Sequence, residues 1–455
     1  MLDYPEKSPV FYRDMTRDYP IMDQGDGVYL FDEQGNRYLD AAGGIAVVNI
    51  GHGVEEIAEV AARQARRLAF AYSGTGTSRP QIDLANKLAA MAPKGMGEVK
   101  VFFCCGGSEA TETALKLARQ YYLARGKGGK YKFVGRWQGY HGNTIGALSI
   151  TGRTQWREPF LPLLLGFPHI CAPICYRCPL GKTYPECRVQ CAWELERVLH
   201  LEGVEAIAGF MAEPIIGTSA TAVTPPPEYY PIIRSICDEH DILMISDEVI
   251  TGLGRTGKNF GIDHWDVVPD IITTGKALSG GYAPLGAVII SEKVWRTFWD
   301  KGKVFYHGHT YTGHPLSCAI GDAVQEYIQK HNLIQRSAEM GAILLQRLAG
   351  LLDLPYVGEV RGKGMLLGVE LVKDKATKEP FPREIGFAQR VAERAMELGV
   401  IVIPGVQGTA PRLAGDHLQI SPPFIFDEED GALLTEVLRR AILEIGEDLT
   451  GHLSM

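Results

Sequence analysis

Six short runs of β-branched and apolar residues recur through the middle of the chain, with helical patterns between most of them. They are VKVFFC (99–104), YKFVGR (131–136), AIAGFMAE (206–213), ILMISDEV (242–249), DIITTGK (270–276) and LGAVIIS (285–291). Strands this continuously apolar are covered on both faces, and helical crossovers between them require a mostly parallel sheet. The fold class is therefore α/β, with ligands expected at the carboxyl ends of the strands.

After His314-Pro315 the pattern changes to long helices, over 316–330 and 334–352. GEVRGKGMLLGVELV then reads as two strand-like runs, and a further helix is expected over 385–398. This is the pattern of a second, smaller α+β domain. The opening YLFDEQGNRYLD reads as a hairpin around Gln34-Gly35-Asn36 that joins the smaller domain. The expected organisation is 1–60 as an N-terminal part of the small domain, 61–315 as the large domain, and 316–455 as the rest of the small one. A chain of 455 residues has room for two or three domains.

A net charge of −8 and no long basic run exclude a general nucleic-acid or anionic-membrane surface. The most apolar short stretch, 160–167, is too brief to span a bilayer and contains Pro162. The N-terminus has no apolar core of a secretory signal, and nine cysteines in such a chain read as mostly reduced thiols. A cytoplasmic protein is expected.

Three stretches carry chemistry. In CCGGSEATETALKLAR, Gly106 and Gly107 end a strand and open a helix, with Ser108 the expected N-cap and Glu109 in the first turn. Small residues there leave backbone N–H groups free for a phosphate, although an ordinary cap behind a glycine turn looks the same. In SDEVITGLGRTG, Asp247 lies where a strand runs out; a helix cap is its plain alternative. In PDIITTGKALSGG, Lys276 follows a strand among small and apolar neighbours, where it can lose its charge and act as a nucleophile; a surface lysine at a turn is the ordinary reading. Taken together, a phosphate cradle, an acid and a lysine at successive strand ends match the needs of pyridoxal phosphate. The lysine forms a Schiff base, the acid keeps the pyridine nitrogen protonated, and the helix end holds the phosphate.

The chain resembles the class III aminotransferases of fold-type I pyridoxal-phosphate enzymes over nearly its whole length. The resemblance rests on GGSEATETALKLAR, YHGNTIGALS, AEPIIG, SDEVITGLGRTG, PDIITTGKALSGGYAPLGA and HGHTYTGHPLSCA, in the family's order and spacing. Within the family it looks most like the omega-amino acid or amine:pyruvate and taurine:pyruvate group. The resemblance implies a ping-pong amino-group transfer between a small amine or amino acid and an oxo-acid, with Lys276 and Asp247 catalytic. It implies that Gly107 and Ser108 hold the phosphate, that Tyr140 and Val249 flank the ring, and that Glu213 lies near it. Thr310 would reach the phosphate of a neighbouring subunit, making a homodimer, or a dimer of dimers, the functional unit. His307 and His309 become structural neighbours of Thr310 instead of a metal pair, and Arg255 is read as structural. Arg412 matches the position of a mobile, carboxylate-binding arginine; a surface arginine in a glycine-rich loop is the alternative.

Departures from the family pattern bear on the substrate. Ile216 stands in the Glu-Pro motif where Gln is frequent, Ile250 stands where many members have Gln, and Ala46 stands where many amine:pyruvate enzymes have Trp. A 4-aminobutyrate or taurine aminotransferase, or a pyridoxal-phosphate lyase or mutase, stays open within the family. Gly252, Gly254 and Gly257 form a formal dinucleotide fingerprint, which would suit a nicotinamide-dependent oxidoreductase, but neither an apolar helix nor a suitably spaced acid follows. A catalytically silent binding protein is the other rival. Cys175, Cys178, Cys187 and Cys191 have a spacing open to structural zinc, a disulfide or free thiols, and the chemistry needs no metal.

Overall fold

The computed structural model describes residues 8–405 and 415–452. All six apolar runs are strands of one seven-stranded sheet. Its order is Lys100–Cys104, Gly286–Ile290, Ile271–Thr274, Leu243–Asp247, Ile207–Ala212, Lys132–Arg136 and His169–Ile170. Only Gly286–Ile290 runs antiparallel to its neighbours. Alternate residues of each strand enter different cores, which is why the runs are apolar throughout. Phe210, Met244, Ile272 and Ile289 pack into one core with Leu195, Leu199, Ile233 and Ile236 of two helices. Met211, Ile245, Ile271 and Val288 pack into the other, against Ala110, Ala114 and Leu117 of helix Gly107–Ala124.

A third core gathers Leu39, Ile50 and Ile57 from near the N-terminus with Val324, Leu344, Val369, Leu418 and Leu438 from the C-terminal third. The N-terminal hairpin forms with Phe31 opposite Arg37. Asp32 closes its turn, accepting from the N–H groups of Gln34 at 3.0 Å and Asn36 at 2.8 Å. Gly35 supplies the positive φ of 81° that this turn requires. An additional strand, Met22–Asp26, precedes the hairpin, and Val400–Ile401 pairs with Arg37–Asp40 to complete a four-stranded sheet. The second four-stranded sheet joins Val357–Lys363, Leu366–Leu371, Asp416–Ile420 and Ile403–Pro404, all antiparallel. Among the described residues, no helix is long and apolar enough to cross a membrane.

Candidate active site

One edge of the large sheet collects the chemistry. Asp247 closes strand Leu243–Asp247, Glu213 directly follows Ile207–Ala212, and Lys276 follows Ile271–Thr274 after Gly275. Gly106 and Gly107 connect Lys100–Cys104 to its helix. These four strands run parallel, so their carboxyl ends open onto the same crevice.

Lys276 sits at φ 41°, opening a short 3-10 turn over Lys276–Leu278. It keeps some accessible surface at the crevice floor. Its Nζ donates to the carbonyl of Ile45 at 3.1 Å. Desolvation pulls its pKa down to about 8, against the pull of the Asp247 and Glu213 carboxylates and with help from Arg255. Near neutral pH a usable fraction of Nζ is therefore neutral and nucleophilic.

The carbonyl of Ile45 is delivered by a left-handed turn. Gly43, Gly44, Ile45 and Ala46 have φ of 53°, 56°, 66° and 57°. Gly43 and Gly44 adopt this freely, whereas Ile45 and Ala46 each carry a cost of about 1–2 kcal/mol. Surrounding anchors hold the turn in place. Ser421 Oγ donates to Ala42 O at 2.8 Å, and the Arg255 guanidinium reaches Val48 O at 3.3 Å. Ala46 is fully buried within this turn. Arg255, also fully buried, donates to Met365 O and Pro422 O as well and lies over the Phe424 ring. Its role is that of a clamp between distant segments, a structural role as the resemblance implied.

Asp247 is 2% exposed, and its two oxygens are individually held. Oδ2 accepts from His141 Nδ1 at 2.7 Å, and Oδ1 accepts from the Val249 N–H at 3.1 Å and the Thr273 hydroxyl at 3.3 Å. His141, 3% exposed, was not singled out in the sequence, although it directly follows Tyr140 in the YHG motif. Its Nε2 is buried without a hydrogen-bond partner. Glu213 accepts from the N–H groups of Tyr140 at 3.2 Å and Gly217 at 3.0 Å. Burial pushes its pKa up; His141 and Arg136 oppose this, and Asp247 adds to it. Tyr140 is half-buried, edge-on to Trp156 at 5.5 Å between centroids.

The helix start corrects the expectation for Ser108. The N-cap is Gly106, and no side chain caps the helix. Ser108 is the second helical residue, and its Oγ accepts from the Asn143 N–H at 3.1 Å, tying down the loop after Tyr140. Two glycines let the chain turn into the helix two residues earlier than a serine cap would, and the first N–H groups stay open. A side chain at Gly107 would collide with Val249, its Cβ lying 2.8 Å from Cγ1, while one at Gly106 would meet nothing within 4 Å. Gly275 also approaches the Gly107 backbone, so the helix start, Val249 and the turn carrying Lys276 meet.

Thr310 is exposed in the segment between Phe305 and His314. His307 Nε2 lies 2.8 Å from the Thr113 hydroxyl. Ile216 and Ile250 are both buried. Arg412 lies outside the described residues. Cys175, Cys178, Cys187 and Cys191 are free, and no three of these thiols converge within 4.8 Å of one another.

The profile of the aminotransferase class-III family matches residues 12–442. The chain belongs to the class III aminotransferases. The uncharacterized aminotransferase YodT of Bacillus subtilis is 40% identical over 439 residues, covering 96% of this chain and 98% of its own. The putrescine–pyruvate aminotransferase of Pseudomonas aeruginosa is 37% identical over 424 residues, 93% of this chain and 90% of its own. Among solved structures, the omega-transaminase of Pseudomonas jessenii in complex with PMP has a TM-score of 0.88 at 35% identity, covering 94% of this chain and 93% of that one.

A class III aminotransferase uses pyridoxal phosphate, and the crevice fits it. It offers a lysine of lowered pKa, a buried carboxylate backed by a histidine, and an uncapped helix start with open space before it. The nicotinamide alternative falls on two counts. The family match excludes it, and Gly254 and Gly257 pack against Ile334 and Ala338 in a turn that leads into no long helix.

Proposed function

We propose that this class III aminotransferase carries pyridoxal phosphate on Lys276 and moves an amino group from an omega-amino acid or amine to an oxo-acid, pyruvate, by a ping-pong mechanism. The observation that carries this reading is the convergence of Lys276, Asp247 and the open helix start on one crevice. The omega-transaminase and putrescine–pyruvate relatives support the choice of donor class and of pyruvate. When bound, the cofactor supplies a protonated pyridine ring that accepts electron density as the donor's C–H bond breaks.

The protein's share is positioning and proton movement. Asp247, its Oδ1 fixed by Val249 and Thr273, presents a negative charge that keeps the ring nitrogen protonated. His141 orients that carboxylate. The backbone at Gly107 and Ser108 would hold the phosphate, and Tyr140, Val249 and Glu213 would confine the ring. Neutral Nζ of Lys276 would move the proton from the donor carbon to the cofactor's carbon, and Ile45 O receives Nζ when it is free. Ala46, fully buried beside Ile45, would act on the substrate side only through the turn it packs into, where a larger residue would displace the Ile45 carbonyl. The setting is a cytoplasmic homodimer. A donor panel of omega-amino acids, diamines and taurine, run with pyruvate and with 2-oxoglutarate, tests the assignment; turnover with 2-oxoglutarate alone refutes the pyruvate reading.

Thr310, exposed on its own chain, belongs to this dimer reading as the residue offered to a second copy's phosphate. Thr310→Ala is expected to release cofactor faster on dialysis, and a variant made monomeric is expected to be inactive. Full activity of a monomer in sedimentation during turnover contradicts the shared site.

Arg412 is the proposed carboxylate partner, since a planar guanidinium binds carboxylate in a bidentate way and stays charged. Arg412→Ala is expected to raise the pyruvate KM by roughly 2–3 kcal/mol of lost pairing. The half-reaction with an amine lacking a carboxylate changes much less. Stopped-flow absorbance on the separate half-reactions measures both, and equal losses assign Arg412 to another role.

A further inference from the structure

Away from the crevice, helices Gln190–Glu202 and Tyr229–Glu239 pack together through Leu195, Leu199, Ile233 and Ile236. At one end of this pair three metal-ligating side chains converge. Glu196 and His200 are one turn apart on the first helix, and His240 directly follows the second. One potential ligand atom from each lies within 4.8 Å of the other two, and this is the only such group of three among the described residues. The imidazoles of His200 and His240 stand edge to face, with 5.8 Å between centroids. His240 Nε2 is sealed from solvent and has no hydrogen-bond partner, a cost a bound cation would remove.

We infer that Glu196, His200 and His240 bind a divalent transition metal, zinc by the chemistry of the set. Two imidazoles and one carboxylate are a zinc donor set, leaving a fourth position for water. Two ligands of a tetrahedral zinc stand about 3.3 Å apart, given bonds of about 2.0–2.1 Å. Rotation of exposed His200 and half-buried Glu196 closes the remaining gap onto His240. The electrostatics favour a cation, because His200 and His240 both lie at helix C-terminal ends, where free carbonyls carry negative partial charge. The nearby ammonium of Lys130 is occupied by the carbonyls of Val204, Ile207 and His240. A metal there staples the two helices; it takes no part in amino transfer.

The test uses the holoenzyme and zinc chloride or cobalt chloride alone. Isothermal titration of the wild type is expected to show one zinc per chain and a zinc-dependent rise in Tm. Both are lost or weakened at least tenfold in His200→Ala, an exposed and fold-tolerant change, and in His240→Ala. Transamination without added metal is unchanged in His200→Ala. The cobalt-loaded protein is expected to show d–d absorption without thiolate charge transfer, which separates this site from Cys175, Cys178, Cys187 and Cys191. No uptake, uptake untouched by His200→Ala, or a thiolate charge-transfer band overturns the proposal.

Discussion

Replacing Lys276 with alanine is expected to give a folded protein that retains pyridoxal phosphate only weakly, loses its visible absorbance near roughly 400 nm, and has no measurable turnover. On the proposed mechanism the side chain supplies both the covalent attachment and the moving proton, so no neighbour substitutes for it. Borohydride reduction of the wild type followed by peptide mapping checks the assignment directly; label on another lysine refutes it. A companion change separates function from stability. In the unliganded protein Lys276 has a pKa of about 8, against 10.5 in its reference state. Between these values the unfolded chain binds more protons than the folded one, so wild-type stability rises with pH through that window. Lys276→Met removes this liability. The variant without cofactor is expected to be more stable at pH 7 by about 2 kcal/mol, from roughly 3 of relieved desolvation less about 1 for the lost bond to Ile45. The advantage is full below about pH 8 and gone above about pH 10.5. Equal melting temperatures at pH 7 count against a desolvated lysine.

Asp247→Asn is expected to keep cofactor attached and lose at least about a hundredfold in kcat. An amide is nearly the same size and still accepts from Val249 and Thr273, so the pocket survives. What disappears is the charge proposed to hold a proton on the ring nitrogen. The same change removes one of the influences that push the Glu213 pKa up. Near wild-type kcat with cofactor bound refutes the role, and loss of the cofactor itself shows a structural one.

The chemistry and the strands were legible because each has a local signature. Apolar runs such as ILMISD and DIITTG mark both the strands and, at their ends, Asp247 and Lys276. His169–Ile170 was missed because two residues are too few to show a pattern, and the reversal of Gly286–Ile290 leaves no trace in an apolar run. The sequence points to Ser108 as the cap because serine caps better than glycine in general, whereas here Gly106 makes the turn and Ser108 serves Asn143. The left-handed turn at 43–46 has no clear local signature. Gly43-Gly44 hints at it, but Ile45 and Ala46 disfavour it locally, and only remote anchors such as Arg255 and Ser421 impose it. His141 was visible in the YHG motif, yet its partner lies 106 residues away.

The Arg255 clamp also fixes a schedule for biosynthesis. Its acceptors, Val48, Met365 and Pro422, leave the ribosome at very different times, and the last lies 167 residues downstream. At about 5–20 residues per second that interval is on the order of ten seconds to half a minute. Through it the nascent chain can set Arg255 against Val48 and later Met365 but not Pro422, and the turn that presents the Ile45 carbonyl to Lys276 lacks its Ser421 anchor. The turn beside Lys276 is thus finished from the far end of the polypeptide, and a message truncated before codon 421 yields a chain that has Lys276 and Asp247 but neither Ser421 nor Pro422 to anchor the segment that faces them.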